Sequence, residues 1–246
     1  MIRFLLCIIE LLIYFVIMIP VMLIAVLVRI GSKRQAHRLI QAFLRTEFRV
    51  LMWLTGCRVT VNGGDNIPVI AADGMSVEPC LFVANHRSIF DIVLAYAYTR
   101  QLLSFVAKKE VRGIPLVGWL MALMNGVFLD RRDLRQGLES INKAQSLITD
   151  SRISVWIFPE GTRSKGEDER DLLEFKPGSF RAATRTGAPI VPVLLSGTRE
   201  IFESHLPCIR PCNVSITYGQ PVWPDELDDE EKKHIAEYFR ELIREM

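Results

Sequence analysis

Apolar and polar positions divide the chain near Gly56. From Phe4 to Val28 almost every residue is apolar, and only Glu10 and Pro20 interrupt the run. A helix of that length spans a bilayer. Glu10 is costly at bilayer depth and Pro20 removes a helical hydrogen bond, so a segment that dips into the bilayer is the alternative to a simple span. A secretory signal fits poorly, because its apolar core is shorter and ends in a small-residue cleavage site. Between His37 and Leu54, Leu39, Ile40, Phe43, Leu44, Phe48, Leu51, Met52 and Trp53 are interleaved with Arg38, Arg45 and Arg49, and Arg29, Lys33 and Arg34 lie just before. This pattern predicts a basic amphipathic helix against anionic headgroups. Its cations face the cytoplasm whether the first segment spans or dips. Residues 1–56 therefore read as a two-helix membrane anchor that holds the rest of the chain at the cytoplasmic face of the cell membrane.

Beyond Gly56 short apolar runs alternate with stretches of helical spacing. Strands are predicted at 58–61, 81–84, 104–107, 127–129, 153–158, 190–195 and 214–218. Helices are predicted at 88–98, 134–148, 180–186 and 224–246, the last opening on Asp225, Glu226, Asp228 and Asp229, which suit its N-terminal dipole. Alternation of this kind predicts an α/β fold in which a mixed sheet is flanked by helices. No hinge-like linker divides residues 57–246, which read as one catalytic domain.

Composition narrows the function. The 246 residues suit one domain plus an accessory segment, and half are hydrophobic, so a sizeable core is available. The formal net charge of +2 gives no argument for nucleic acid. Cys7, Cys57, Cys80, Cys208 and Cys212 are odd in number and scattered, which points to a reducing compartment rather than a disulfide framework. His205, Cys208 and Cys212 lack an evident fourth ligand, so no metal site is expected.

Two polar segments follow apolar runs. Asn85-His86-Arg87-Ser88-Ile89-Phe90-Asp91 sets a histidine and a carboxylate five positions apart, directly after Leu81–Ala84. From the first turn of a helix starting near Ser88, Asp91 reaches back to one imidazole nitrogen and leaves the other to accept a proton. The same spacing satisfies a capping box, in which Asp91 serves only the backbone. Ser88 is a nucleophile candidate for an esterase but reads better as a helix cap, and the chain has no Gly-x-Ser-x-Gly elbow. In Phe158-Pro159-Glu160-Gly161-Thr162-Arg163-Ser164, Gly161 permits a tight turn that presents amide N–H groups to an anion, and Arg163 offers a planar fork for phosphate. An ordinary polar turn with a solvated arginine fits that segment equally well. Arg131 follows the short strand at 127–129 and by itself reads as a surface partner of Asp130 or Asp133. Lys176, in Phe175-Lys176-Pro177-Gly178, is placed near the Arg163 loop or in a plain turn.

Together these segments resemble the glycerolipid acyltransferase family. Four ordered blocks carry the resemblance: Asn85-His86-x-Ser88-x-x-Asp91, Gly126-x-x-Phe128-x-x-Arg131, Phe158-Pro159-Glu160-Gly161-Thr162-Arg163-Ser164 and Ile190-Val191-Pro192-Val193. They run from about Leu81 to Gly197. The resemblance implies transfer of an acyl chain from acyl-CoA or acyl carrier protein to the sn-2 hydroxyl of 1-acyl-sn-glycerol-3-phosphate (lysophosphatidic acid), giving phosphatidic acid for phospholipid biosynthesis. It implies direct transfer at the membrane, with neither cofactor nor metal. His86 would deprotonate the hydroxyl and Asp91 would hold His86. Arg131, Glu160, Gly161, Thr162 and Arg163 would line the glycerol-phosphate site, with Lys108 near the phosphate. Another lysolipid acceptor, such as a lyso-ornithine lipid, is the alternative, and a non-enzymatic membrane adaptor stands outside the enzyme readings. Ile114, Leu116, Val117, Trp119, Leu120, Met121 and Leu123 are expected either to line an acyl channel or to serve as core or membrane-facing surface.

Overall fold

The computed structural model describes residues 1–70, 76–130 and 134–246. Helices α1 (Ile2–Gly31) and α2 (Lys33–Thr55) come first, joined at Ser32, whose hydroxyl accepts the Gln35 N–H at the start of α2. Then follow β1 (Arg58–Asn62), β2 (Val69–Ile70), β3 (Ser76–Val77), β4 (Leu81–Ala84), α3 (Phe90–Tyr98), β5 (Leu103–Lys108), α4 (Val117–Leu123), β6 (Val127–Leu129), α5 (Leu134–Thr149) and β7 (Ser154–Ile157). The last part comprises α6 (Arg181–Thr186), β8 (Ile190–Ser196), α7 (Thr198–Ile201), β9 (Asn213–Tyr218), α8 (Asp229–Lys233) and α9 (Ile235–Arg244). The tail predicted as one helix is divided at His234, where the backbone leaves helical geometry between α8 and α9.

Seven strands form a sheet in the order β1-β9-β8-β4-β7-β5-β6, and β2 and β3 pair separately. Only β8 and β9 run antiparallel within the large sheet, so it is mixed, as the alternating pattern predicts. The central strand β4 is buried on both faces. Phe82 and Ala84 join Phe105, Trp156 and Val191 in the layer under α1, α2 and α3; Leu81 and Val83 join Val155, Ile190 and Phe180 in the layer under α5, α6 and α9. This double burial is why β4 reads as a continuous apolar run.

Of the first two helices, only α1 is apolar and long enough to cross a membrane. One stripe of it, including Cys7, Tyr14, Met18 and Ala25, packs inward, while Leu5, Leu12, Val16, Leu23 and Leu27 are exposed. The amphipathic pattern of α2 predicts arginines facing lipid headgroups, but two of them face the protein. Arg49 donates to the Ala97 carbonyl at 3.0 Å and Arg45 to the Thr99 carbonyl at 2.7 Å. Both serve the carboxyl end of α3, where unpaired carbonyls and the helix dipole favour cations. Buried Gln41 pins α2 to the start of β5, donating to the Gln101 carbonyl at 2.6 Å and accepting the Leu103 N–H at 2.7 Å. A side chain inside a helix thus supplies a strand's unpaired backbone groups.

Glu47 of α2 is buried beside Glu10 of α1. Burial, and then hydrogen bonding and charge from the Glu10 carboxyl, push Glu47 up to about 9 from 4.5. A carboxyl raised in this way binds more protons folded than unfolded. Its contribution to stability is present below about 4.5 and is lost as pH rises through about 9. Glu47→Gln, neutral throughout, is expected to remove this contribution, so that the melting temperature of the detergent-solubilised variant falls less between those pH values than that of the wild type. Parallel melting curves for the two proteins would contradict this assignment.

Candidate active site

Strands β8, β4 and β7 lie side by side, and β4 runs parallel to both neighbours. Their carboxyl ends share one edge, the place where parallel sheets present ligand-binding loops. Topology thereby joins two sequence motifs whose central residues, His86 and Glu160, are 74 positions apart.

His86 lies two residues past β4. Its Nδ1 is 2.8 Å from Asp91 Oδ2, and the same oxygen accepts the Arg87 N–H at 2.7 Å and the Ser88 N–H at 2.8 Å. Asp91 is fully buried, so the capping and histidine-holding readings coexist in one atom. Donation from Nδ1–H to the carboxylate leaves the imidazole lone pair on Nε2. The ring is 15% exposed and lies on Phe158 with centroids 4.1 Å apart and planes 13° from parallel. Asn85 fixes the loop from behind: its side-chain amide donates to the Leu195 carbonyl at 2.9 Å and accepts the Leu195 N–H at 2.8 Å.

The loop after β7 closes on this one. Glu160 is buried; one carboxylate oxygen accepts the His86 N–H at 2.8 Å and the other the Leu173 N–H at 2.9 Å. Burial pushes the Glu160 carboxyl above its usual range, while the two N–H bonds and His86 pull it down. The His86 carbonyl accepts the Ser164 N–H at 2.7 Å. Gly161 has φ +72°, a conformation costly for residues with a Cβ. Thr162 and Arg163 are exposed at the tip, and the Lys176 N–H donates to the Pro159 carbonyl, which seats the Phe175–Gly178 turn beside the loop. Arg87 is buried and donates to the Gly166 carbonyl, a tie that a polar residue next to a histidine does not advertise.

Ser88 is fully buried, its hydroxyl accepting the Phe90 N–H at 3.0 Å and donating to Glu203 at 2.7 Å. It makes no bond to His86 and is not placed as a nucleophile. The assigned helix begins at Phe90, so Ser88 shapes the turn before α3 instead of forming a full capping box. Nothing in the sequence singles out Glu203, which comes from the β8–β9 connection. Lys108 is exposed at the end of β5, where its Cα partner is Leu129 of β6. Arg131 lies outside the described residues; Asp130 pairs with Lys109.

A cavity of about 750 Å³ lies on the α5–α6 side of the sheet, floored by Leu81, Val155, Ile157 and Val127 and reaching Phe158, Pro159, Glu160 and Gly161. Lys176 and Arg181 also line it. Residues 114–123 do not. Trp119 is 64% exposed, and Leu120, Met121 and Leu123 pack against the opposite core layer. The candidate channel residues are therefore surface and core. Among the described residues no group of three or more His, Cys, Asp or Glu side chains could hold a metal ion.

Glu160→Gln can keep only one of the two N–H bonds, because its amide nitrogen meets the second donor head-on. A loss of about 1–3 kcal/mol in unfolding free energy is expected from one buried donor left unpaired. Unchanged denaturant midpoints would contradict the clamp.

The Acyltransferase family model matches residues 58–196, more than half of the chain. A 1-acyl-sn-glycerol-3-phosphate acyltransferase of Cocos nucifera is 32% identical over 79% of this chain and 59% of its own length. One from Salmonella typhimurium is 32% identical over 71% of this chain and 69% of its own. The chain thus spans about three-fifths of the first of these relatives. The crystal structure of the 1-acyl-sn-glycerophosphate (LPA) acyltransferase PlsC from Thermotoga maritima superposes with a TM-score of 0.73 at 28% identity, covering 99% of this chain and 94% of that one. The chain belongs to the Acyltransferase family.

Proposed function

We propose that this protein transfers an acyl chain from an acyl thioester, acyl-CoA or acyl carrier protein, to the sn-2 hydroxyl of 1-acyl-sn-glycerol-3-phosphate. The observation that carries this reading is the His86–Asp91 pair, with Nε2 unburdened, tied through Glu160 to the loop that bears Arg163. Relatives named as acyltransferases of this acceptor support it.

The acceptor hydroxyl needs a base at neutral pH. Nε2 of His86 takes its proton, and the oxygen attacks the thioester carbonyl. The tetrahedral intermediate collapses by breaking the carbon–sulfur bond, and the departing thiolate recovers the proton from the imidazolium. Asp91 offsets the charge on the ring during these steps. A thiolate leaves readily, so an acyl-enzyme is unnecessary, consistent with Ser88 being engaged elsewhere. Arg163, with Lys108 at the end of β5, binds the phosphate and turns a diffusing lipid into an oriented one; Arg131 is assigned to the same phosphate by its sequence block alone. Gly161 and Thr162 shape the loop around it. Glu160 holds the His86 backbone, and its carboxylate acts on substrate through that contact. The cavity beneath the Phe158–Gly161 segment has the volume and apolar floor of a lipid-chain site.

The exposed apolar face of α1 rests in one leaflet. Because α2 is bonded along the catalytic body, α1 lies beside that body and enters the membrane by one face. Arg29, Lys33, Arg34 and Arg38, clustered where α1 meets α2, favour the cytoplasmic side.

His86→Ala is expected to lower kcat by about 10²–10⁴-fold with folding and membrane association intact. Near-normal turnover would remove His86 from the base role. Arg163→Ala is expected to raise KM for lysophosphatidic acid by roughly tenfold or more, the scale of a charge-assisted contact, while a phosphate-free lysolipid is little affected. Equal effects on both acceptors would favour a different headgroup, and product lipid mass from an acceptor-by-donor matrix identifies it.

A further inference from the structure

Loops after β4, β7 and β8 meet at the carboxyl edge of the sheet, and the chemistry above takes no residue from the last of them. The third, between β8 and β9, delivers Glu203, 115 positions from Ser88. One Glu203 oxygen accepts the Ser88 O–H at 2.7 Å; the other accepts the Ile89 N–H at 2.8 Å and lies 3.5 Å from Arg163 Nη1. The carboxylate is 18% exposed and the guanidinium 50%. Phe202, the preceding residue, stacks on Phe4 of α1 at 5.6 Å and 11°, so the turn is braced from the side of the membrane helix.

These contacts are unequal. The two short ones bury the charge against the amino end of α3, where amide donors and the helix dipole favour an anion. The contact to Arg163 is long and half solvated, a weak pair by geometry. Resting on the reading above, we propose that Glu203 is a positioning residue for acyl transfer. It locks the loop carrying His86 and Asp91, and it parks Arg163 within reach of the site until a phosphate displaces it. A phosphate accepts two parallel bonds from the guanidinium and outcompetes a single contact of 3.5 Å.

The test compares wild type, Glu203→Gln and Glu203→Ala with lysophosphatidic acid varied at saturating donor, and with a phosphate-free monoacylglycerol as control acceptor. Glutamine still accepts the Ile89 N–H and keeps the loop in place, so kcat stays within about twofold. KM for lysophosphatidic acid falls severalfold, because Arg163 no longer has a competing charge, and KM for monoacylglycerol does not move. Alanine orphans the Ile89 N–H and the Ser88 O–H, and kcat falls on the order of 10²-fold, the scale of an ångström-level misplacement. Wild-type kcat in the alanine variant overturns the proposal. So does a glutamine variant as slow as the alanine one, or one with unchanged KM. If alanine fails to fold, as thermal melting would reveal, the glutamine arm decides alone. A wild-type protein inert toward lysophosphatidic acid overturns the functional reading itself; an active wild type with silent variants overturns only the role of Glu203.

Discussion

A buried carboxylate oxygen, Asp91 Oδ2, gathers three donors within 2.8 Å: the His86 ring and the N–H groups of Arg87 and Ser88. The arrangement binds ring orientation and backbone path together. Where the loop turns into α3, amide donors have no helical partner, and the carboxylate that satisfies them also points at the imidazole. Loss of the charge would therefore disturb the helix start and the histidine at once. Around this centre Asn85 ties the loop to β8, and Glu160 ties it to the loop after β7. The reactive segment is held by its neighbours on both sides of β4.

The same economy appears in the first two helices. An amphipathic basic helix has two uses for its cations, lipid headgroups or exposed carbonyls, and α2 gives Arg45 and Arg49 to the second. Together with Gln41 they fasten α2 to α3 and β5, so the apolar face of α1 is presented from a body that includes the active site. The Phe4–Phe202 stack extends that continuity to the turn bearing Glu203.

Much of the architecture was legible because its signals are local. The strand at Leu81–Ala84 announces itself by an unbroken apolar run that only double burial explains, and α5 by its 3.6-residue spacing. The first apolar helix needs no more than its length. His86 and Asp91 are five positions apart on one turn, so their pairing follows from local geometry once a helix is expected there.

Tertiary structure decided whatever depends on distant neighbours. The sequence allowed Asp91 to cap the helix, to hold the histidine or to do both; in the first turn of α3 one buried oxygen does both. The sequence offered Glu160 as a substrate contact; packing turned its two oxygens onto backbone N–H groups of His86 and Leu173. It left residues 114–123 as channel lining or as core and surface; they are core and surface, and the cavity formed on the opposite face, between α5 and α6, because helix packing and not apolar content sets where space remains. Glu203 carried no local signal at all, since its partners lie across the sheet edge and a lone surface-type glutamate looks the same in any loop. Local spacing determined which elements form and which residue pairs can meet along one turn; sheet order determined which loops share an edge, and so which charges face one another.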